Sequence, residues 1–318
     1  MFRLDYIQGV FQEAMMHRRD FLKYMAVLGL ATGAGHLVLP EEVWAMAPQE
    51  TPQPIVAKVQ GANYAQLAGD AIQALGGMKK FVQPGEVVVV KPNMAWDRPP
   101  EMAANANPAV VRQVVELCLE AGAKQVKVLD NTCHDARKSY VTSGIKAAVE
   151  GLKDPRAVVL YVDDRRFVKL TIDKAKALKK WYFYKDVLEA DRFINIPVAK
   201  NHSEARLTMC LKNMMGAIGG WRGRIHVGLH QNIADMNLLL RPDLHVLDAT
   251  RIMVKNGPSG GRLKDVQVKN LVFAGTDPVA LDALGTGLFG MKPTDIGYII
   301  KAHQAGRGEM DLSKIKVL

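Results

Sequence analysis

The chain has 318 residues, 48% hydrophobic and 23% charged, with 42 Lys and Arg against 32 Asp and Glu. These proportions belong to an ordinary globular protein and exclude a disordered, collagen-like or disulfide-dense chain. A formal charge of +10 favours anionic partners; no basic run is interleaved with aromatics, so no nucleic acid is expected, and a small anionic ligand is.

The N-terminus reads as an export signal. Arg18-Arg19-Asp20-Phe21-Leu22-Lys23 reads as a twin-arginine motif, followed by an apolar stretch from Tyr24 to Leu39 broken by Gly29, Gly33, Gly35 and His36. That stretch falls short of the roughly 20 apolar residues of a membrane span and fits a signal peptide. Val43-Trp44-Ala45 suits the cut. The expected organisation is therefore upstream residues and signal peptide over 1–47, then one α/β domain over 48–318. The expected location is periplasmic or otherwise extracytoplasmic, with the twin-arginine translocon as partner during export.

Beyond a proline-containing linker, strand and helix patterns alternate. Residues 55–60 read as a strand and 64–75 as a helix stopped by Gly76-Gly77. Val87-Val88-Val89-Val90 is an apolar run typical of a strand buried on both faces. Pro108 opens a helix that closes before Gly122, and 125–130 is the next strand. Lys91-Pro92-Asn93 and Asp130-Asn131-Thr132 thus fall at strand C-terminal ends, the edge where open α/β sheets bind ligands. A helix over 139–152, strands over 157–162 and 167–172, and a solvated excursion over 173–180 follow. A short helix ends at Ala190, and a buried strand spans 192–197. Helices are expected over 207–215, 232–240, 278–289 and 295–305, and strands over 244–248 and 271–274. The fold class is α/β, a mostly parallel or mixed central sheet with helices on both faces.

Polar chemistry concentrates between Lys200 and Asp235. Lys200, Lys212, Arg222 and Arg224 lie there with few acids between them, and glycines interrupt the segment. Such a loop suits phosphate, carboxylate or sulfate. His226 and His230 are four apart, a spacing that puts two imidazoles on one helix face. With His202 or Asp235 they would admit a divalent metal. Asp248 ends a strand and is the candidate general base or metal carboxylate. Asn256-Gly257-Pro258-Ser259-Gly260-Gly261 is a lid, an anion-contacting loop or a plain connector. No phosphate-binding loop, dinucleotide fingerprint or nucleophile elbow occurs. Cys118, Cys133 and Cys210 lack C-x-x-C spacing, so no cysteine-ligated iron–sulfur cluster is expected; a Cys133–Cys210 disulfide is left open.

Val90-Lys91-Pro92-Asn93, Lys200-Asn201-His202, Thr208 with Leu211-Lys212-Asn213-Met214-Met215-Gly216, Arg224-Ile225-His226, Leu247-Asp248-Ala249 and Gly275 to Ala283 occur in one order. Together they resemble the family catalogued as domain of unknown function 362, over about residues 55 to 305. The resemblance marks Lys91, Asn93, Lys200, His202, Lys212, Asn213, His226, Asp248, Asp277 and Asp282. Some relatives carry an appended ferredoxin-like domain with four closely spaced cysteines, and this chain departs from them in lacking those cysteines. A family name does not supply a reaction, so roles come from residue chemistry. Lys91, Asn93, Lys200, Lys212, Asn213 and Arg224 would bind the anion. His202 and Asp248 would be catalytic, and His226, His230 and Asp235 would hold a metal. The expected function is an enzyme acting on a small anionic substrate, with a metal-assisted variant. The competing reading is an exported binding or accessory protein, which needs the cations but no proton-transfer pair.

Overall fold

The computed structural model describes residues 53–318; the signal expected at Arg18-Arg19, the cleavage expected after it and the boundary expected near residue 47 all fall outside the described residues. The described chain opens with β1 (Ile55–Gln60), α1 (Tyr64–Ala74) and β2 (Val87–Pro92). α2 (Pro108–Glu120) starts where Asn107 accepts the Ala109 N–H and Pro108 takes the first helical position. It leads to β3 (Gln125–Val128). The helix expected over 139–152 is two, α3 (Ala136–Thr142) and α4 (Ile145–Glu150). Gly144 between them has a φ of +72°, a left-handed conformation that ends a helix.

β4 (Ala157–Val159) follows, then β5 (Phe167–Thr171) and β6 (Lys180–Tyr184), which pair antiparallel as a separate ribbon. The excursion expected over 173–180 is the turn of that ribbon, with Ala175 and Leu178 buried. α5 (Lys185–Glu189) precedes β7 (Arg192–Ile196). Pro197, which has no N–H for a ladder, separates β7 from β8 (Val198–His202). The helix expected over 207–215 is instead β9 (Arg206–Thr208), α6 (Cys210–Asn213) and a 3₁₀ turn. α7 (Leu229–Leu239), β10 (Leu244–Met253), β11 (Val266–Gly275), α8 (Pro278–Thr286), α9 (Gly297–Gln304) and β12 (Lys316–Val317) complete the chain.

The main sheet has ten strands in the order β12-β1-β11-β10-β7-β2-β3-β4, with β8 beside β10 and β9 beside β8. β10, β7, β2, β3 and β4 run parallel, and β11 is antiparallel to both β1 and β10. The apolar run of β2 serves two cores. Val88 and Val90 pack with α1, α2 and α4, whereas Val89 packs with the side holding α6 to α9. From β2 the chain builds outward through β3 and β4, then returns to lay β7 on the other side of β2. The sheet order reverses at that point. Past Ile196, which pairs with Pro92, β8 leaves β2 and keeps only β10 and β9. Parallel neighbours diverge there, and a cleft opens at their C-terminal ends, where this topology binds ligands.

Candidate functional site

A cleft of about 320 Å³ opens at this divergence. Its floor is an ion pair. Lys91, at the end of β2, places Nζ 2.8 Å from Oδ1 of Asp130, just beyond β3, and both side chains are buried. The Lys91 ammonium also donates to Asn213 Oδ1 at 2.9 Å and to Pro92 O at 3.1 Å. Two hydrogen bonds and the ion pair hold this ammonium in place. Asp130 takes the Met94 N–H on Oδ2 at 2.9 Å. Burial pulls the Lys91 pKa down and pushes the Asp130 pKa up, and each partner opposes the other's shift. Gly216 lies directly over the pair: a Cβ there would stand 1.8 Å from Asp130 Oδ1 and 2.7 Å from Lys91 Nζ. This glycine is required for space rather than for backbone freedom.

An amide chain transmits the orientation. Asn213 donates to Asn195 Oδ1 at 2.8 Å, leaving its Oδ1 to accept from Lys91 and from Asn93 at 2.9 Å. Asn93 Oδ1 therefore faces Lys200, whose Nζ donates to it at 3.0 Å and to Ala104 O at 2.5 Å. Lys200 is held on β8 by register with Met253 and Thr208, and its Nζ lies 5.6 Å from the centre of the Trp96 ring. Burial, with Lys212 and Lys91 nearby, pulls the Lys200 pKa down to about 7.

Lys212 comes from α6. Its Nζ contacts Met215 Sδ at 3.6 Å, with no oxygen acceptor among the described residues. The side chain is 8% exposed, and burial lowers its pKa to about 8. Thr208 Oγ1 is likewise buried without a partner among the described residues. His202, at the end of β8, accepts the Glu204 and Ala205 N–H groups on Nδ1 at 3.1 and 3.2 Å. The ring proton must then sit on Nε2, so this imidazole is a donor. Burial first, then Lys212, His226 and Lys200, lower its pKa to about 3.

Trp96, Cys133, Arg222, His226 and Pro258 complete the rim. Arg222 is pinned by the carbonyls of Asn131, Thr132 and Met215. Pro258 belongs to the turn-rich loop expected to be a lid, an anion-contacting loop or a plain connector. The lining holds Lys91, Lys200, Lys212 and Arg222 but a single carboxylate, Asp130.

The structure therefore brings together Lys91, Asn93, Lys200, His202, Lys212 and Asn213, with His226 at the rim. It does not bring the others. Asp248 lies outside the lining: its carboxylate accepts the Asn107 N–H at 2.6 Å and the Thr250 N–H at 2.9 Å, anchoring the start of α2 to β10. Arg224 is exposed and outside the lining; Arg222 is the arginine of the cleft. His226 and His230 do not share a helix face, because Gly228, with a φ of +80°, separates a 3₁₀ turn from α7. His226 binds Glu204 at 2.7 Å, whereas His230 stacks on Tyr298. Asp235 accepts the Lys176, Ala177 and Leu178 N–H groups and Gln231 Nε2, fastening the β5–β6 turn to α7. The expected metal ligands are thus dispersed. Among the described residues, no three His, Cys, Asp or Glu side chains gather as a metal site. All three cysteines are unpaired; Cys118 and Cys210 are buried and Cys133 is exposed. Sequence reasoning left Asp130, Trp96 and Cys133 out of the site, although Asp130 was visible as a strand-end residue.

Comparison with known proteins places the chain. It is 28% identical over 247 residues to the "Thylakoid-associated protein sll1697" of Synechocystis sp., covering 74% of this chain and 73% of that protein. A crystal structure of a Thermotoga maritima protein aligns with a TM-score of 0.43 at 10% identity, over 77% of this chain and 60% of that one. The lactate racemase apoprotein of Thermoanaerobacterium thermosaccharolyticum aligns with a TM-score of 0.41 at 12% identity, over 77% of this chain and 58% of that one. The chain spans less than two thirds of either solved chain. A family model matches residues 88–287, and the protein belongs to that family, described as "Domain of unknown function (DUF362)".

Proposed function

We propose that the protein is an enzyme that binds a small anion, a carboxylate or phosphate, in this cleft and acts on it with the Lys200 amine. One observation carries the reading: the Lys212 ammonium is buried at the cleft with no oxygen acceptor among the described residues, in a lining of four cations and one carboxylate. A buried charge left in that state is costly, and an anionic ligand supplies the missing acceptor. His202 Nε2–H and Thr208 add neutral donors. Lys200 changes charge near neutral pH, the range in which a reactive amine is useful.

Calorimetric titration with phosphate, sulfate and acetate tests it. Binding should be saturable at one site, and Lys212→Met should weaken it at least about ten-fold, or about 1.4 kcal/mol. Unchanged affinity in Lys212→Met, with the fold retained, would remove Lys212 from the site and end the reading.

A second reading, a binding or accessory protein without catalysis, is favoured by one observation. His202 and Asp248 cannot form the expected proton-transfer pair, because the His202 Nδ1 lone pair and the Asp248 carboxylate are both committed to backbone N–H groups. The enzyme reading therefore rests on Lys200. We also propose that the protein acts outside the cytoplasmic membrane, on the strength of Arg18-Arg19 and the apolar stretch behind it. Export of the full chain should stop when both arginines are replaced by lysine; continued export would end that proposal.

A further inference from the structure

The cleft's three buried lysines have three different hydrogen-bond states. Lys91 donates to Asn213 Oδ1 and Pro92 O and is ion-paired with Asp130, and an ammonium so held has no lone pair to face a ligand. Lys212 has no oxygen acceptor and stands as a charge to be neutralised. Lys200 has two, Asn93 Oδ1 and Ala104 O. A neutral amine has two N–H donors and one lone pair. With both donors engaged, the remaining tetrahedral position of Nζ belongs to the lone pair, and Lys200 lines the cleft. Asn93 cannot flip to spoil this arrangement, because its Nδ2 is committed to Asn213, which Lys91 and Asn195 hold in turn.

We infer that Lys200 condenses with the ketone or aldehyde carbon of a small carboxylate, a 2-oxo acid, to form an imine, with the carboxylate held by Lys212. The inference rests on the anion-site reading above and names its substrate class. The amine nitrogen attacks the carbonyl carbon, forming the C–N bond as the C=O π bond opens onto oxygen. That oxygen then leaves as water. It carries away one proton from the nitrogen and one from solvent, and the second nitrogen proton stays on the iminium. No oxidant or reductant is required. The iminium N–H keeps one acceptor of the pair that held the amine. At pH 7 roughly half of the Lys200 amines are neutral, against about one in three thousand for an ordinary lysine.

The test uses the full chain, pyruvate and cyanoborohydride, which reduces an imine to a stable amine. Intact mass should rise once, by one pyruvic acid less one oxygen atom. Peptide mapping should put at least about ten-fold more label on Lys200 than on any other lysine. Inorganic phosphate should suppress the label, and Lys200→Arg should abolish it. The wild-type peptide map decides the question even if the variant fails to fold. Label absent, or spread over exposed lysines, in protein that still binds phosphate would overturn the imine and leave the anion site standing. Failure to bind phosphate, acetate or pyruvate at all would overturn both.

Discussion

At the scale of single residues, the Lys91–Asp130 pair is the most consequential contact in the cleft. Its members lie about forty residues apart, one at the end of β2 and one just past the end of β3, and meet only because β2 and β3 pair in register. Removing one member of a buried pair strands the other charge, at a cost of about 3–5 kcal/mol. Lys91→Met should lose that much in urea unfolding. Adding Asp130→Asn should recover part of it, because the amide oxygen still accepts the Met94 N–H and no charge is left stranded. If the double variant is no more stable than the single, the loss comes from the Asn213 and Pro92 contacts instead. Asp130 and Asp248 both follow short apolar strand patterns and look alike in sequence, but Asp248 lies in the middle of β10. Along β10, Leu247 and Ala249 face one core, so Asp248 points to the opposite side, against the start of α2. Asp130 lies past the end of β3, where the chain turns into the cleft. Which aspartate reaches the ligand edge depends on where each strand stops: β3 ends before Asp130, whereas β10 runs on past Asp248.

At the scale of elements, the long-period signals were legible. β1 and α2 have the bounds that their patterns predict; for α2 the Pro108 start and the Gly122 stop are local causes. The segments that build the cleft were not. β8 and β9 form a hairpin whose residues include Lys200, His202 and Thr208, polar groups that hide its period-two pattern. α6 is four residues long and too short to show a period. Its start is fixed from outside: Asp282, on α8, accepts the Cys210 N–H at 2.7 Å and the Leu211 N–H at 3.1 Å. Asp282 is thus a positioning residue for Lys212 and Asn213, which explains a side chain that lies outside the cleft. Asp282→Ala leaves two buried N–H groups without acceptors, at about 1–3 kcal/mol each. Its anion affinity should fall with its stability, whereas Asp282→Asn, which keeps one acceptor, should lose less of both. Burial raises the Asp282 pKa to about 7, above its ordinary 3.8. Its titration therefore favours the fold at low pH, and that contribution is lost as pH rises toward and through about 7. An anion affinity equal to wild type in Asp282→Ala would deny it the positioning role.

At the scale of the whole molecule, the excess of positive charge and the buried lysines act together. A net +10 raises the local concentration of anions around the protein, and the cleft gathers four cations about one carboxylate. Lys200 and Lys212 have pKa values depressed to about 7 and about 8 from an ordinary 10.5. Their titration favours folding above 10.5, and that advantage is lost as pH falls through 8 and 7 and the buried amines must charge. An anion in the cleft reverses the preference, since it stabilises the charged form and raises both pKa values. Near pH 8 the complex therefore holds more protons than the free protein, and binding must take protons up. Calorimetry with phosphate or acetate in buffers of different ionisation enthalpy should show this uptake. Affinity should weaken as pH rises above 8, and added anion should raise the melting temperature more at pH 7 than at pH 9. Proton release on binding, or affinity flat from pH 7 to 9, would mean that the ligand does not meet these two amines. The cleft's charge would then serve the fold alone.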